Sequence, residues 1–214
     1  QIQDHSKHNG TFASSQTTQI MAGSTDEDDR TIMRLATALY KKFSLKRVYY
    51  SAFTYREQAK GYENEKLPII STPHWRMARL YQADRLTQLY GFSFNDVTPE
   101  HEPFLQEDID PKAAWALRNM DIFPVEVNKA DYDKLIRVPG IGIVYAKRII
   151  EARRYCTVTH DIMKRMKIPM GKCSYFITCN NKFEIADRLN KEDIKSVLVS
   201  KHAQISIFDL LTHG

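Results

Sequence analysis

Hydrophobic and polar positions near the start of the chain follow a strand–helix–strand pattern. Short apolar runs at 18–23 and 46–53 predict two strands. Ser24, with Glu27 three residues later, predicts a capping box at the start of an intervening helix. The apolar stripe of that helix is Ile32, Leu35, Ala36, Leu39 and Phe43. This order predicts two parallel strands joined by a right-handed crossover, with the acids at 26–29 placed in the first helical turn rather than around a metal.

Helical spacing dominates the rest of the chain. One predicted helix carries the stripe Trp75, Leu80, Leu86 and Leu89. Gly91 is the predicted stop of that helix, because glycine tolerates the backbone angles of a helix end. Asp110 followed by Pro111 predicts a second helix start, and Asn128 is the predicted cap of a third. A short helix near 191–199 and an edge strand at 204–209 complete the pattern.

A glycine-rich turn lies between two short helical patterns at residues 138–142, with the sequence Val-Pro-Gly-Ile-Gly. Gly140 and Gly142 lack Cβ atoms, so this turn can adopt left-handed angles and approach a ligand closely. The first amides of the following helix have no intrahelical partners, and that helix end attracts anions. The arrangement resembles a helix-hairpin-helix, which grips the nucleic-acid backbone without distinguishing sequence. The alternative is a glycine-rich corner between two helices with a solvated basic face.

Positive charge is concentrated around this turn. Residues 137–172 contain nine Lys or Arg residues and two acids, so the segment carries +7 while the whole chain carries +5. Such a concentration is the electrostatic footprint expected of a protein that binds a phosphate backbone.

A weaker second copy follows at 168–171, with the sequence Ile-Pro-Met-Gly. It also lies between a short amphipathic pattern and an apolar run, and two such hairpins usually share one core. It lacks the paired glycines of the first turn, so its own phosphate contact is less well supported. The predicted DNA-binding residues of both turns are Val138, Pro139, Gly140, Ile141, Gly142, Lys147, Arg148, Gly171 and Lys172.

Cysteine usage points to a reducing compartment. Cys156, Cys173 and Cys179 form no C-x-x-C pair, so neither a disulfide framework nor a metal site is indicated. The prediction is buried free thiols in the cytoplasm.

No apolar run reaches membrane-spanning length and no signal peptide is apparent, so a membrane partner is not expected. A pI near 9.0 favours an anionic partner. The chain begins with Gln1, and we expect it to be a fragment or a processed form.

Several segments in a fixed order resemble one family. They are 16–19 (Gln-Thr-Thr-Gln), 48–53 (Val-Tyr-Tyr-Ser-Ala-Phe), 79–84, 90–92, 110–117, 123–128, the hairpin and 175–180. Together they are similar to the C-terminal part of the DNA modification/repair radical SAM proteins. The resemblance implies an α/β fold, in which the C-terminal strands and helices of a partial TIM-type barrel precede an all-α helix-hairpin-helix domain. The expected divisions are a polar tail at 1–15, the barrel part with a helical extension at 16–125, and the hairpin domain at 126–214.

The resemblance also implies cofactors that this chain does not hold alone. The family's full-length members use S-adenosylmethionine and a 4Fe–4S cluster, which requires three cysteine thiolates. The motif C-x-x-x-C-x-x-C is absent here, so the implied partner is a missing N-terminal half, and the catalytic residues stay unknown. The residues nominated to face the cofactor or substrate are Gln16, Thr17, Thr18, Gln19, Tyr50 and Ser51. The alternative is that they only make hydrogen bonds in loops and core.

Two other functions are compatible with the sequence. The chain is also explained as a stand-alone, non-catalytic DNA-binding module. A helix-hairpin-helix DNA glycosylase fits less well, because Val144 occupies the position expected for a catalytic lysine. The segment Cys156–Asp161 is only loosely similar to the aspartate motif of those enzymes.

Overall fold

The chain divides into two compact units, residues 1–107 and 108–214. This computed structural model describes residues 15–55, 68–184 and 190–199. The predicted polar tail, apart from residue 15, and the predicted strand at 204–209 therefore lie outside the described residues. The division at 107–108 precedes the expected one at 125–126, because residues 110–126 are bonded to the hairpins, as described below.

The first unit is built on a parallel β-α-β element. Strand β1 (Thr17–Ala22) pairs with β2 (Arg47–Ala52), and helix α1 (Asp29–Phe43) connects them. The register places Thr17 opposite Arg47 and Ala22 opposite Ala52. The strand–helix–strand prediction is confirmed. Only two-stranded sheets occur in the described part of the chain, so no closed barrel is present there, and the partial TIM-type barrel stays a prediction.

Helix α1 begins later than predicted. Asp28 is its cap and accepts from the Thr31 amide at 2.7 Å, whereas the Ser24 hydroxyl donates to the Met21 carbonyl. The predicted Ser24 capping box is wrong. Serine and aspartate both favour the cap position, but at Ser24 the chain is still in a turn, and Asp28 is the residue that caps the helix. The placement of Asp29 in the first turn is confirmed. Its carboxylate also has a structural role, since it is buried and accepts from Arg76 Nε at 2.7 Å.

Helix α2 (His74–Leu89) packs on β2 and on α1, and the short α3 (Phe94–Val97) packs against α1 and α2. Leu80 and Leu86 are buried as predicted, but Leu89 is 50% exposed. Gly91 has a φ of +68° just after the helix, which confirms its predicted role as a stop. The apolar stripe predicted for α2 does not include the polar residues of this helix that are buried, because periodicity assigns only apolar positions to the core.

The second unit contains short helices around a very small sheet. Its elements are α4 (Pro111–Arg118), a 3-10 turn (Met120–Ile122), β3 (Val125–Glu126), α5 (Tyr132–Arg137), α6 (Ile143–Ala152), α7 (His160–Arg165), α8 (Met170–Cys173), β4 (Ile177–Thr178) and α9 (191–199). Asp110 caps α4 with Pro111 in its first turn, as predicted. The helix predicted near 191–199 is present.

The second unit is not purely helical. Strands β3 and β4 pair in parallel, with Val125 opposite Ile177, so the expectation of an all-α domain is wrong. A two-residue strand gives no detectable alternation, which explains the error. The predicted cap at Asn128 is also wrong, because Asp131 caps α5. Asn128 instead bonds both the amide and the carbonyl of Val158.

The thiols divide by location. Burial raises the pKa of Cys173 and of Cys179 to about 12, so both stay protonated at neutral pH. Cys156 is exposed, which corrects the prediction that all three thiols are buried. No helix in the described ranges is both long enough and apolar enough to cross a membrane.

Candidate nucleic-acid interface

The first hairpin consists of α5, a tight turn and α6. Gly140 has a φ of +84°, in the left-handed region, so the turn requires a residue without a Cβ there. Gly142 has φ −95° and ψ 178°, an extended conformation open to any residue, and it is the cap of α6. The prediction that the glycines allow a left-handed turn is thus confirmed for Gly140 and wrong for Gly142.

The other turn residues are anchors. Val138 and Ile141 have no exposed surface, and Pro139 is buried. The Ile141 amide donates to the Val138 carbonyl at 3.0 Å, which closes the turn. Burial of these side chains holds the backbone in place, so the three residues anchor the turn and present no side chain to a ligand.

The first turn of α6 presents unused amides. The Ala146 amide donates to the Gly142 carbonyl at 2.8 Å, as in a regular helix. The amides of Ile143, Val144 and Tyr145 donate to no acceptor among the described residues. Gly142 has no side chain to cap them, so this helix end is open to an anion.

One face of α6 combines these amides with exposed cations. Val144 is 60% exposed, and Lys147 and Arg148 are also exposed. These residues share a face because they are spaced three and four apart. Ala146 and Ile149 are fully buried on the opposite face. The arrangement suits a phosphate backbone that runs past the helix end.

The second hairpin, α7 and α8, supports the first. A Cβ atom on Gly140 would lie 3.2 Å from Lys172 Cβ and 3.3 Å from the Cys173 amide nitrogen. Lys172 Nζ is paired with Asp110 Oδ2 at 3.0 Å. The predicted site residue Lys172 is therefore already engaged by a carboxylate, and Gly171 is exposed in α8. This hairpin packs beneath the first turn, as a shared core requires.

Lys112 is a further part of the interface that the sequence did not indicate. It lies in α4 and donates from Nζ to the Ile141 carbonyl at 2.6 Å. Burial lowers the pKa of Lys112 to about 7, and Asp110 opposes that shift. A lysine in a short helix carries no periodic signal, so only the fold reveals its position under the turn.

Several cations of the basic segment have structural roles. Arg153 donates to the carbonyls of Val127 and Ala130, and Arg154 is paired with Glu151 at 3.0 Å. Arg137 lies over the Trp115 ring, with 5.2 Å between the guanidinium carbon and the ring centroid. The segment's charge of +7 thus overstates the charge available to a ligand, while Lys147 and Arg148 remain exposed.

Comparison with known families agrees with this geometry. Residues 122–158 match the helix-hairpin-helix motif. The match covers β3, both helices of the first hairpin and the turn between them. No curated protein and no solved structure matches the chain. The helix-hairpin-helix therefore supports DNA as a partner.

The residues nominated from the radical SAM resemblance lie in the first unit. Alternation places Thr17, Gln19 and Ser51 on one face of the sheet, and Thr18 and Tyr50 on the other. Thr17 and Gln19 are exposed. The Tyr50 hydroxyl is buried and donates to Asp84 at 3.1 Å, and the Gln16 carbonyl accepts from the Lys46 amide. The six residues do not form one cluster, and their assignment to a cofactor stays a prediction.

Proposed function

We propose that this protein binds the DNA backbone without sequence specificity through its first hairpin. The observation that carries the proposal is the left-handed turn at Gly140, which leads into a helix whose first amides are free. The match to the helix-hairpin-helix motif at 122–158 supports it. A phosphate oxygen accepts from the amides of Val144 and Tyr145, and the helix dipole adds attraction.

In this proposal the exposed cations and the main-chain amides bind different phosphates. Lys147 and Arg148 contact phosphates next to the one at the helix end, while Val144 lies against the sugars. The proposal assigns no contact with base edges, and the turn residues Val138 and Ile141 are buried. Contacts of this kind position a duplex and carry no sequence information.

The direct test is DNA binding as a function of salt. Affinity for two duplexes of unrelated sequence should be equal and should fall with a log–log slope of about −0.9 for each phosphate neutralised. A slope near zero, or a strong preference for one duplex, contradicts the proposal.

The finer assignment is that the chain is the C-terminal part of a radical SAM enzyme that modifies or repairs DNA. The parallel β-α-β element supports this assignment, because its exposed face, with Thr17, Gln19 and Tyr49, is a face that α/β folds normally cover. Ser51 Oγ is buried there without a hydrogen-bond partner among the described residues. On the other face, Val48 and Tyr50 are buried, and the Tyr50 hydroxyl donates to Asp84 of α2.

The described residues do not fit a 4Fe–4S cluster by themselves. No three of their His, Cys, Asp or Glu side chains are grouped to hold a metal, and Cys156 is exposed while Cys173 and Cys179 are buried. In this assignment the cluster cysteines belong to a separate cluster-binding domain of the enzyme. Reconstitution with iron and sulfide should give cluster absorbance and S-adenosylmethionine cleavage only when such a domain is supplied. Cleavage by the 214-residue chain alone contradicts this assignment.

A DNA glycosylase is the weaker alternative. Val144, at the position of a catalytic lysine, has no nucleophile, and Asp161 lies exposed in the first turn of α7. No observation favours base excision over backbone binding.

A further inference from the structure

A pocket opens in the first unit, at the amino end of β2. Its volume is about 640 Å³, and its walls come from Tyr40 of α1, residues 45–47, and residues 81–89 of α2. Pockets of this size hold small-molecule ligands. The backbone-binding hairpin uses none of these residues.

The floor of the pocket is a fixed hydrogen-bond network around one acid. Tyr40 and Tyr50 donate to the two carboxylate oxygens of Asp84, at 3.0 and 3.1 Å. The Tyr40 hydroxyl also accepts from the Val48 amide, and the Tyr81 hydroxyl accepts from the Tyr50 amide. Burial raises the pKa of Asp84, and the two tyrosine hydroxyls oppose the shift. The network makes the floor rigid and leaves neither carboxylate oxygen without a donor.

The rim of the pocket is strongly basic. Lys46, Arg47 and Arg85 line it and are exposed, and none of them is within ion-pair distance of an acid in the described part of the chain. Arg47 lies over the Tyr49 ring, with 5.5 Å between the guanidinium carbon and the ring centroid. Three cations around a single carboxylate leave an excess of positive charge. Guanidinium groups are well matched to phosphate oxygens.

The rest of the wall is apolar or neutral. Leu45, Leu89 and the Tyr81 ring provide surface for a flat hydrophobic group, and Gln82 and Gln88 provide amide donors and acceptors. Leu89 is half exposed although its helical spacing predicts a core residue. A ligand in the pocket would cover it.

We infer that this pocket binds a nucleotide. The phosphate lies against Lys46, Arg47 and Arg85, and the base lies against the wall formed by Leu45, Leu89 and Tyr81. The same chemistry is offered by a free mononucleotide and by one nucleotide of a single strand. The inference does not depend on the hairpin, which belongs to the other unit.

Calorimetric titration of the full chain tests the inference. Adenosine 5′-monophosphate should bind at one site, and inorganic phosphate and adenosine should each bind more weakly. Arg85→Gln and Lys46→Gln should each weaken nucleotide binding about tenfold, since each removes a charged hydrogen-bond donor. Both side chains are exposed, so these variants should unfold at the same temperature as the unmodified chain.

Arg34→Gln is the matched control, because Arg34 is an exposed cation of α1 outside the pocket. It should bind the nucleotide normally, as should Gly142→Glu in the hairpin. Titration with a short single-stranded oligonucleotide distinguishes a free mononucleotide from a nucleotide within a strand as the ligand. Arg85-dependent binding tighter than that of the mononucleotide identifies a nucleotide within a strand, and Arg85-dependent binding of the mononucleotide alone identifies a free one. Absence of saturable binding, equal affinity for adenosine and its monophosphate, or an equal loss in Arg34→Gln overturns the inference.

Discussion

Lys112 Nζ donates a hydrogen bond to the carbonyl oxygen of Ile141, at 2.6 Å. The bond joins α4 to the centre of the hairpin turn, between Gly140 and Gly142. Because the Ile141 side chain is fully buried, its main chain is held from both sides. This explains how a turn containing two flexible glycines keeps the amides of α6 in one orientation.

The lowered pKa of Lys112 predicts how stability depends on pH. The folded-state pKa is about 7 and the ordinary value is 10.5, so the unfolded chain binds more protons between these values. The cost of burying the charged ammonium is therefore full below about pH 7 and is relieved as the pH rises to about 10.5, so the folded state gains stability across this window. Urea unfolding should show that the free energy of unfolding of the unmodified chain, minus that of Lys112→Met, rises across this window. A difference independent of pH contradicts the assignment.

Gly140→Ala should destabilise the second unit. The left-handed backbone costs alanine about 1–2 kcal/mol, and the new Cβ meets Lys172 and the backbone of α8. Gly91→Ala is the matched control, since Gly91 has φ +68° and a Cβ added there would meet no atom within 4 Å. Thermal unfolding should show a larger loss for Gly140→Ala, and only that variant should lose DNA affinity. Equal losses of stability in the two variants would show that packing on α8 adds nothing.

Gly142→Ser should separate stability from binding. Gly142 has the extended angles of a helix cap, and a serine there can accept from the amide of Val144 or Tyr145. The variant should be more stable by a few tenths of a kcal/mol. It should also bind DNA more weakly, because the serine hydroxyl accepts a hydrogen bond from an amide that would otherwise donate to the phosphate. Stronger or unchanged DNA binding in this variant would place the phosphate elsewhere.

Lys147→Ala and Arg148→Ala should each weaken DNA binding and flatten its salt dependence by about 0.9 in the log–log slope. Both side chains are exposed on the open face of α6. Lys134→Ala is the control, because Lys134 is an exposed cation of α5 that is paired with Asp131. Anisotropy titrations over a range of salt should leave the control's slope unchanged. A slope change in the control equal to those of the α6 variants would indicate diffuse charge attraction.

The sequence predicted the hairpin well because its signals are local. Glycine spacing, a proline and clustered cations lie within one short segment, and the turn and both helices occur where they were expected. The β-α-β element was also predicted correctly, since the period of its hydrophobic pattern changes from strand to helix and back.

The remaining features depend on contacts between residues far apart in the chain. Lys112 reaches Ile141, and Asp110 pairs with Lys172, although neither pair is close in sequence. The strands β3 and β4 are two residues long and form only because the hairpins bring them together. Periodicity could not identify Asp84 as a core residue, because its burial depends on the hydroxyls of Tyr40 and Tyr50.

The central claim is that a phosphate binds the free amides at the start of α6. The most direct measurement compares DNA affinity for Gly142→Glu and Gly142→Ala. Both residues adopt the extended angles at this position without strain, so both variants should keep the fold by circular dichroism. The account predicts that Gly142→Glu loses DNA binding, because its carboxylate lies where the phosphate belongs, while Gly142→Ala retains most of it. Normal DNA binding by a folded Gly142→Glu protein would contradict the account.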